Sequence, residues 1–157
     1  MILHLPLDDL MKTFSYDPDT GFIHDKNGSV KGTISLGYLV TWFEGKLYRN
    51  HRIAWALHHG ISNFGVIDHV NMDRADNRIS NLRQCTQSGN IANSPARISN
   101  TSGIKGVSWC KQTGKWNATI TKDRKRMNLG RFDSIEEAAG VYAEAAKHHF
   151  GEFARLS

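Results

Sequence analysis

The run from Ile67 to Asn90 gathers a carboxylate, an imidazole and several amides within 24 residues: Asp68, His69, Asn71, Asp76, Asn77, Asn81 and Asn90. Hydrolysis of a phosphodiester needs a deprotonated water, neutralisation of the charge developing on phosphorus, and a stabilised leaving oxygen. A histidine serves as base at neutral pH. A hard divalent cation takes oxygen ligands, such as a carboxylate and an amide carbonyl. The set therefore suits metal-assisted attack on a phosphodiester. On residue types alone a second reading stands beside it, in which Asn71, Asp76, Asn77 and Asn81 are turn residues that bond their own backbone.

The elements that must position this set follow from the pattern around it. Residues 65–69 read as a short strand, 71–76 as a polar loop, 79–85 as a returning segment, and 86–93 as a helix closed by Pro95. Asp68 and His69 are adjacent on the strand, so they point to opposite faces unless the strand bends. Upstream, residues 9–24 read as a short helix or strand lead-in with a turn at Pro18-Asp19-Thr20-Gly21. Two β-rich runs, 37–43 and 46–48, flank a Glu44-Gly45 turn. A helix over 51–59, with Asn50 as its cap, presents Ile53, Ala54 and Leu57 on one face and stops at Gly60. Tyr38, Trp42, Phe43 and Trp55 read as core.

Charge divides the chain. Residues 1–96 carry nine Lys/Arg against nine Asp/Glu, and residues 97–157 carry eleven against six, so the net +5 lies in the second part. Eight basic residues and one acid fall within residues 105–131, a footprint suited to a polyanion. Residues 96–102 are small and polar and read as a linker. Three β-like runs follow, at 104–110, 115–121 and 126–132. A helix over 134–150 comes next, with Ser134 and Glu137 as a capping box and Ile135, Ala138, Ala139, Tyr142 and Ala146 as its packing face. A three-stranded sheet covered by one helix leaves a basic face free, and strands fit the major groove of DNA. The fold class is α+β, with domains at 1–96 and 97–157.

Cys85 and Cys110 are far apart and form no CxxC pair, which disfavours thiolate zinc and fits a reducing compartment. Residues 1–11 contain acids and a proline and do not read as a signal peptide. No apolar run approaches the roughly 18 residues of a membrane span, so the expectation is a cytoplasmic protein with no membrane partner.

Residues 51–90 resemble the phage and bacterial HNH endonucleases, with their ββα-metal core. The matching words are His51-Arg52-Ile53-Ala54-Trp55, Val66-Ile67-Asp68-His69-Val70-Asn71, Asp76-Asn77-Arg78-Ile79-Ser80-Asn81-Leu82-Arg83 and Thr86-Gln87-Ser88-Gly89-Asn90. Phe14-Ser15-Tyr16-Asp17-Pro18-Asp19-Thr20-Gly21 is similar to the lead-in of such phage proteins. The resemblance implies His69 as general base, Asp68 and Asn90 as ligands of one Mg²⁺ (or Mn²⁺), and Asn81 as the middle asparagine that braces the loop and orients His69. Arg52, Arg78 and Arg83 are candidate phosphate contacts, Arg83 foremost. His51 reads as structural.

Residues 100–155 resemble the APETALA, or ethylene-response-factor, type of DNA-binding domain. The words are Ser102-Gly103-Ile104-Lys105-Gly106-Val107, Gly114-Lys115-Trp116-Asn117-Ala118-Thr119-Ile120, Leu129-Gly130-Arg131-Phe132-Asp133 and Glu136-Glu137-Ala138-Ala139, with Tyr142, Ala145 and Ala146. That resemblance implies a sheet in the major groove. Candidates for contact are Lys105, Trp109, Lys111, Trp116, Thr119, Thr121, Lys122, Arg124, Lys125, Arg126 and Asn128, about half of which face DNA by strand alternation. Trp116 reads equally as contact or core. The expected activity is that of a site-directed homing endonuclease acting on double-stranded DNA, as a monomer that nicks or a dimer that breaks both strands. The alternative is a DNA-binding regulator without cleavage.

Overall fold

A computed structural model describes residues 5–96 and 99–155. The chain divides into two compact units, Met1–Cys85 and Thr86–Ser157. The sequence reading draws the boundary later, at 96/97, in a linker that falls partly on residues 97–98, outside the described residues.

The first unit runs α1 (Leu7–Thr13), β1 (Phe14–Tyr16), β2 (Ile23–Asp25), β3 (Val30–Lys31), β4 (Thr33–Ser35), β5 (Tyr38–Phe43), β6 (Lys46–Arg49), α2 (Asn50–His59), β7 (Val66–His69), a 3-10 turn (Ile79–Asn81) and β8 (Leu82–Cys85). Strands β1-β2-β3 and β4-β5-β6 form two antiparallel sheets, and β7 pairs with β8 as a hairpin with His69 opposite Leu82 and Asp68 opposite Arg83. Leu5, Leu10, Ile23 and Ile53 are wholly buried and join Phe14, Tyr48, Phe64, Ile67 and Leu82 in one core. Full burial of such side chains is worth about 1.5–3 kcal/mol each before the entropy of ordering is counted. α2 supplies Ile53, Ala54 and Ala56 to this core and ends at Gly60 in the left-handed conformation, φ 65°, as its sequence suggests.

Three features depart from expectation. β3 and β4 are strands of two and three residues, too short to leave a periodic signal. Asn50 does not cap α2. It is the first residue of the helix, where its buried amide accepts a hydrogen bond from Thr41 Oγ1 (2.8 Å) and donates one to the Lys31 carbonyl (2.9 Å). Trp42 is 68 % exposed, not core, and it pairs across the sheet with exposed Leu47. Its neighbours Thr41 and Phe43 occupy the opposite, inward face with Tyr48. Apolar residues on both faces hide this alternation in the sequence.

The second unit comprises α3 (Gln87–Asn93), β9 (Val107–Cys110), β10 (Lys115–Lys122), β11 (Lys125–Phe132), α4 (Ile135–Phe150) and a 3-10 turn (Gly151–Phe153). β10 is central in an antiparallel β11-β10-β9 sheet, and α4 packs on it. Ser134 Oγ accepts the Glu137 N–H (3.1 Å), which realises one half of the expected capping box. Val107, Ala118 and Ile120 from the sheet meet Ala138, Tyr142 and Ala146 from α4. The small Ala138 and Ala146 flank Tyr142 on the inward face of the helix. No helix among the described residues is long and apolar enough to cross a membrane.

Candidate functional site

In the first unit, β7 ends at His69 and the chain turns into the loop of residues 70–78. Both histidine and aspartate are buried on this short strand. Asn81 lies across the loop: its Oδ1 accepts the Asn71 N–H (3.0 Å), its Nδ2 donates to the Asp76 carbonyl (2.8 Å), and its carbonyl accepts the Val70 N–H (2.9 Å). Asp76 forms a bidentate pair with Arg78 (2.8 and 2.6 Å) and accepts from Asn71 Nδ2 (2.8 Å). Chiefly through Arg78, its carboxyl pKa falls to about 2.

The His69 ring is held by Asn77, a residue the sequence reading left among turn chemistry. Nε2 of His69 lies 3.1 Å from Asn77 Oδ1, with both groups buried. Asn77 is itself fixed by its carbonyl, which accepts the Tyr16 hydroxyl (2.8 Å). Burial, followed by the nearby acids, raises the Tyr16 pKa to about 12, so this phenol stays a donor. The lead-in turn presses on the same peptide: a Cβ on Gly21, φ 77°, would collide with the Asn77–Arg78 backbone. The Asp17–Gly21 turn thus packs directly on the peptide that follows Asn77. Its signal in the sequence was the Asp76-Asn77-Arg78 word itself.

His51, from the first turn of α2, packs edge-on against His69, with ring centroids 4.9 Å apart at 83°. It is 4 % exposed, and its Nδ1 has no hydrogen-bond partner among the described residues. Burial first, then the charges of His69, Arg49 and Arg52, push its pKa down to about 3. Burial also lowers the His69 pKa, against the opposing effects of Asn77 and the neighbouring acids. Both imidazoles are therefore neutral at neutral pH. Tyr38, read as core, is half-buried beside both histidines (5.5 and 6.1 Å), and Arg49 and Arg74 lie over its ring at 4.2 and 5.0 Å.

The three arginines read as phosphate contacts all have intramolecular roles. Arg83 donates from Nε and from Nη2 to Asp68 Oδ2 (3.2 and 3.1 Å), with little of either side chain exposed. Arg78 is taken by Asp76. Arg52 donates to the Gly65 carbonyl (3.1 Å) and covers Phe64. Asn90 sits on α3, in the second unit.

Among the described residues, no group of three or more His, Cys, Asp or Glu side chains is arranged to hold a metal ion. The oxygen donors that remain, a buried carboxylate and asparagine amides, suit a hard cation that keeps water in its shell. An ionised carboxylate offers about four lone-pair sites.

In the second unit the strand register sorts the candidates. Thr119 opposite Asn128 and Thr121 opposite Arg126 lie on the face away from α4, with Arg126 Nη2 donating to Thr119 Oγ1 (3.3 Å). Asn117 and Arg131 pair on that same face and were missed, although stepping back by two from Thr119 finds Asn117. Trp116 and Trp109 pair with each other on the α4 side, ring centroids 5.1 Å apart, and Trp116 packs against the core, which decides its even reading. Lys111, Arg124 and Lys125 are exposed in turns or at strand ends. Lys105, expected at DNA, instead donates to three carbonyls at the end of α3.

Residues 48–92 match the family model for HNH endonucleases. Protein 3.8 of Escherichia phage T7 is 34% identical over 112 residues, which cover 71% of this chain and 92% of that protein. The chain belongs to the HNH endonuclease family. A further relative is an uncharacterized HNH endonuclease of Acanthamoeba polyphaga mimivirus, 29% identical over 75% of this chain and 61% of its own length. Among solved structures, that of the HNH homing endonuclease I-HmuI, described as binding and cleaving DNA, aligns over 52% of this chain and 51% of its own with 29% identity and a TM-score of 0.41. The chain thus spans about half to three-fifths of these two relatives. Within the HNH region the order β7, β8, α3 is the family's ββα sequence of elements.

Proposed function

We propose that the protein is a metal-dependent endonuclease of double-stranded DNA, with His69 as general base and Asp68 and Asn90 as ligands of one Mg²⁺ or Mn²⁺. The observation that carries this reading is the buried His69–Asn77 pair. An amide oxygen only accepts hydrogen bonds, so the proton of the ring sits on Nε2 and the lone pair on Nδ1. His69 is then the group that takes a proton from the attacking water. Asn77 positions the ring, Asn81 fixes the loop that carries Asn77, and His51 supports the ring without competing charge. A bound divalent ion would neutralise the scissile phosphate and stabilise the leaving oxygen. Arg83 holds the Asp68 carboxylate in place.

The C-terminal sheet is proposed as an APETALA-type DNA-binding domain. Its open face, with Asn117, Thr119, Thr121, Arg126, Asn128 and Arg131, carries hydroxyls, amides and guanidinium groups suited to base edges and phosphates. Functionally the modules are drawn as 1–96 and 97–157, with most of the grip in the second. One active site cuts one strand, so a monomer nicks, as a phage homing endonuclease acting in the host cytoplasm would. Supercoiled plasmid incubated with the protein becomes nicked with Mg²⁺ and stays intact in EDTA, and Asp68→Asn nicks no faster than the EDTA control. Equal nicking with and without the ion contradicts the metal assignment.

A further inference from the structure

α3 has seven residues, QSGNIAN, of which two are Asn, one Gly and one Ser. Such a segment does not sustain a helix by propensity or length. It is held by three separate parts of the second unit. At its N-terminal end, Ser88 Oγ donates to Asp123 Oδ1 (2.7 Å) and accepts the Asp123 N–H (3.0 Å), in the turn between β10 and β11. In its middle, Gly89 faces Phe153 so closely that a Cβ would lie 3.4 Å from the ring. At its C-terminal end, the Lys105 ammonium donates to the carbonyls of Ile91 (2.7 Å), Ala92 (2.8 Å) and Ser94 (2.6 Å).

An ammonium has three N–H donors, and these three carbonyls account for all of them. The free carbonyls of a helix end are where a cation is most favourable. A lysine that contacts phosphate keeps its donors in solvent, and this one does not. Burial lowers its pKa to about 8, which leaves it charged at neutral pH.

We infer that Lys105 and Asp123 are positioning residues that fix α3, and with it Asn90, within the C-terminal unit. The inference rests on the proposed metal role of Asn90 for its catalytic consequence, but the anchoring itself does not. In sequence, the cutting motif and the holding module overlap over residues 86–94.

The test uses the full chain and the variants Lys105→Met and Ser88→Ala, the second being the milder. Amide hydrogen exchange over residues 87–93 speeds up at least about tenfold in both, while β10 and β11 stay protected. Under single turnover with saturating protein, nicking slows by about tenfold or more, while Kd stays within about threefold and the slope of log Kd on log salt is unchanged. Unchanged exchange in α3, with a salt slope reduced by about one for Lys105→Met, overturns the inference and makes Lys105 a phosphate contact. If the parent protein nicks nothing and α3 still loosens in the variants, the anchoring stands and the nuclease reading falls.

Discussion

Two buried imidazoles in edge contact, one tied to an asparagine and one with an unpartnered nitrogen, define the chemistry at the residue scale. Asn77 is predicted to act on the bound state. Asn77→Leu lowers kcat by about 10–100-fold and leaves DNA affinity within a few-fold, because it frees the ring without removing a phosphate contact. An equal loss in both quantities would point to a merely structural role. His51 predicts a pH effect whose sign follows from its depressed pKa. The folded state holds it neutral down to about pH 3, whereas the unfolded chain takes up a proton near 6.5. The difference in proton uptake therefore costs nothing above pH 6.5, and stability falls as the pH drops from there towards 3, by up to about 1.4 kcal/mol per pH unit. Thermal melts across pH 7 to 4 should show a shallower decline for His51→Phe than for the parent. Parallel curves would remove His51 as a source of acid sensitivity.

At the scale of elements, each secondary structure with a strong period or a cap was legible: α2 to its glycine stop, β5 and β6 around Glu44-Gly45, the three C-terminal strands, and α4 from Ser134. What was not legible depended on partners distant in sequence. Asn50 has the chemistry of a cap, but Thr41 and Lys31 claim its amide. Trp42 has the chemistry of a core residue, but the register turns it outward. Lys105 has the chemistry of a phosphate ligand, but the end of α3 lies beside it. The close packing of α4 gives a direct prediction. Gly106 has φ 74°, and a Cβ there would overlap the Tyr142 ring and the Thr119 carbonyl oxygen, while its own carbonyl accepts the Thr119 N–H (2.8 Å). Gly106→Ala should destabilise the C-terminal unit by about 2 kcal/mol or more, read as a lower denaturation midpoint at unchanged m-value. A midpoint equal to the parent's would mean that Tyr142 relaxes freely.

At the scale of the molecule, the charge of +5 resides in residues 97–157, and the chemistry-bearing loop lies in the neutral part. The sequence made that division visible, and its words located Asp68, His69 and Asn81. It concealed that α3 folds with the basic unit. If the open sheet face binds DNA, Arg126→Ala with Arg131→Ala lowers the salt slope of binding by about two, at roughly 0.9 per phosphate contact. On the proposed function, this chain binds DNA and cuts it by separable means, with His69 acting only in the cut. The most direct measurement compares the parent with His69→Ala on one duplex, recording Kd and single-turnover nicking in Mg²⁺. Nicking is expected to fall by about 10²–10⁴-fold while Kd stays within a few-fold. Nicking at the parent rate by His69→Ala would contradict the proposed function.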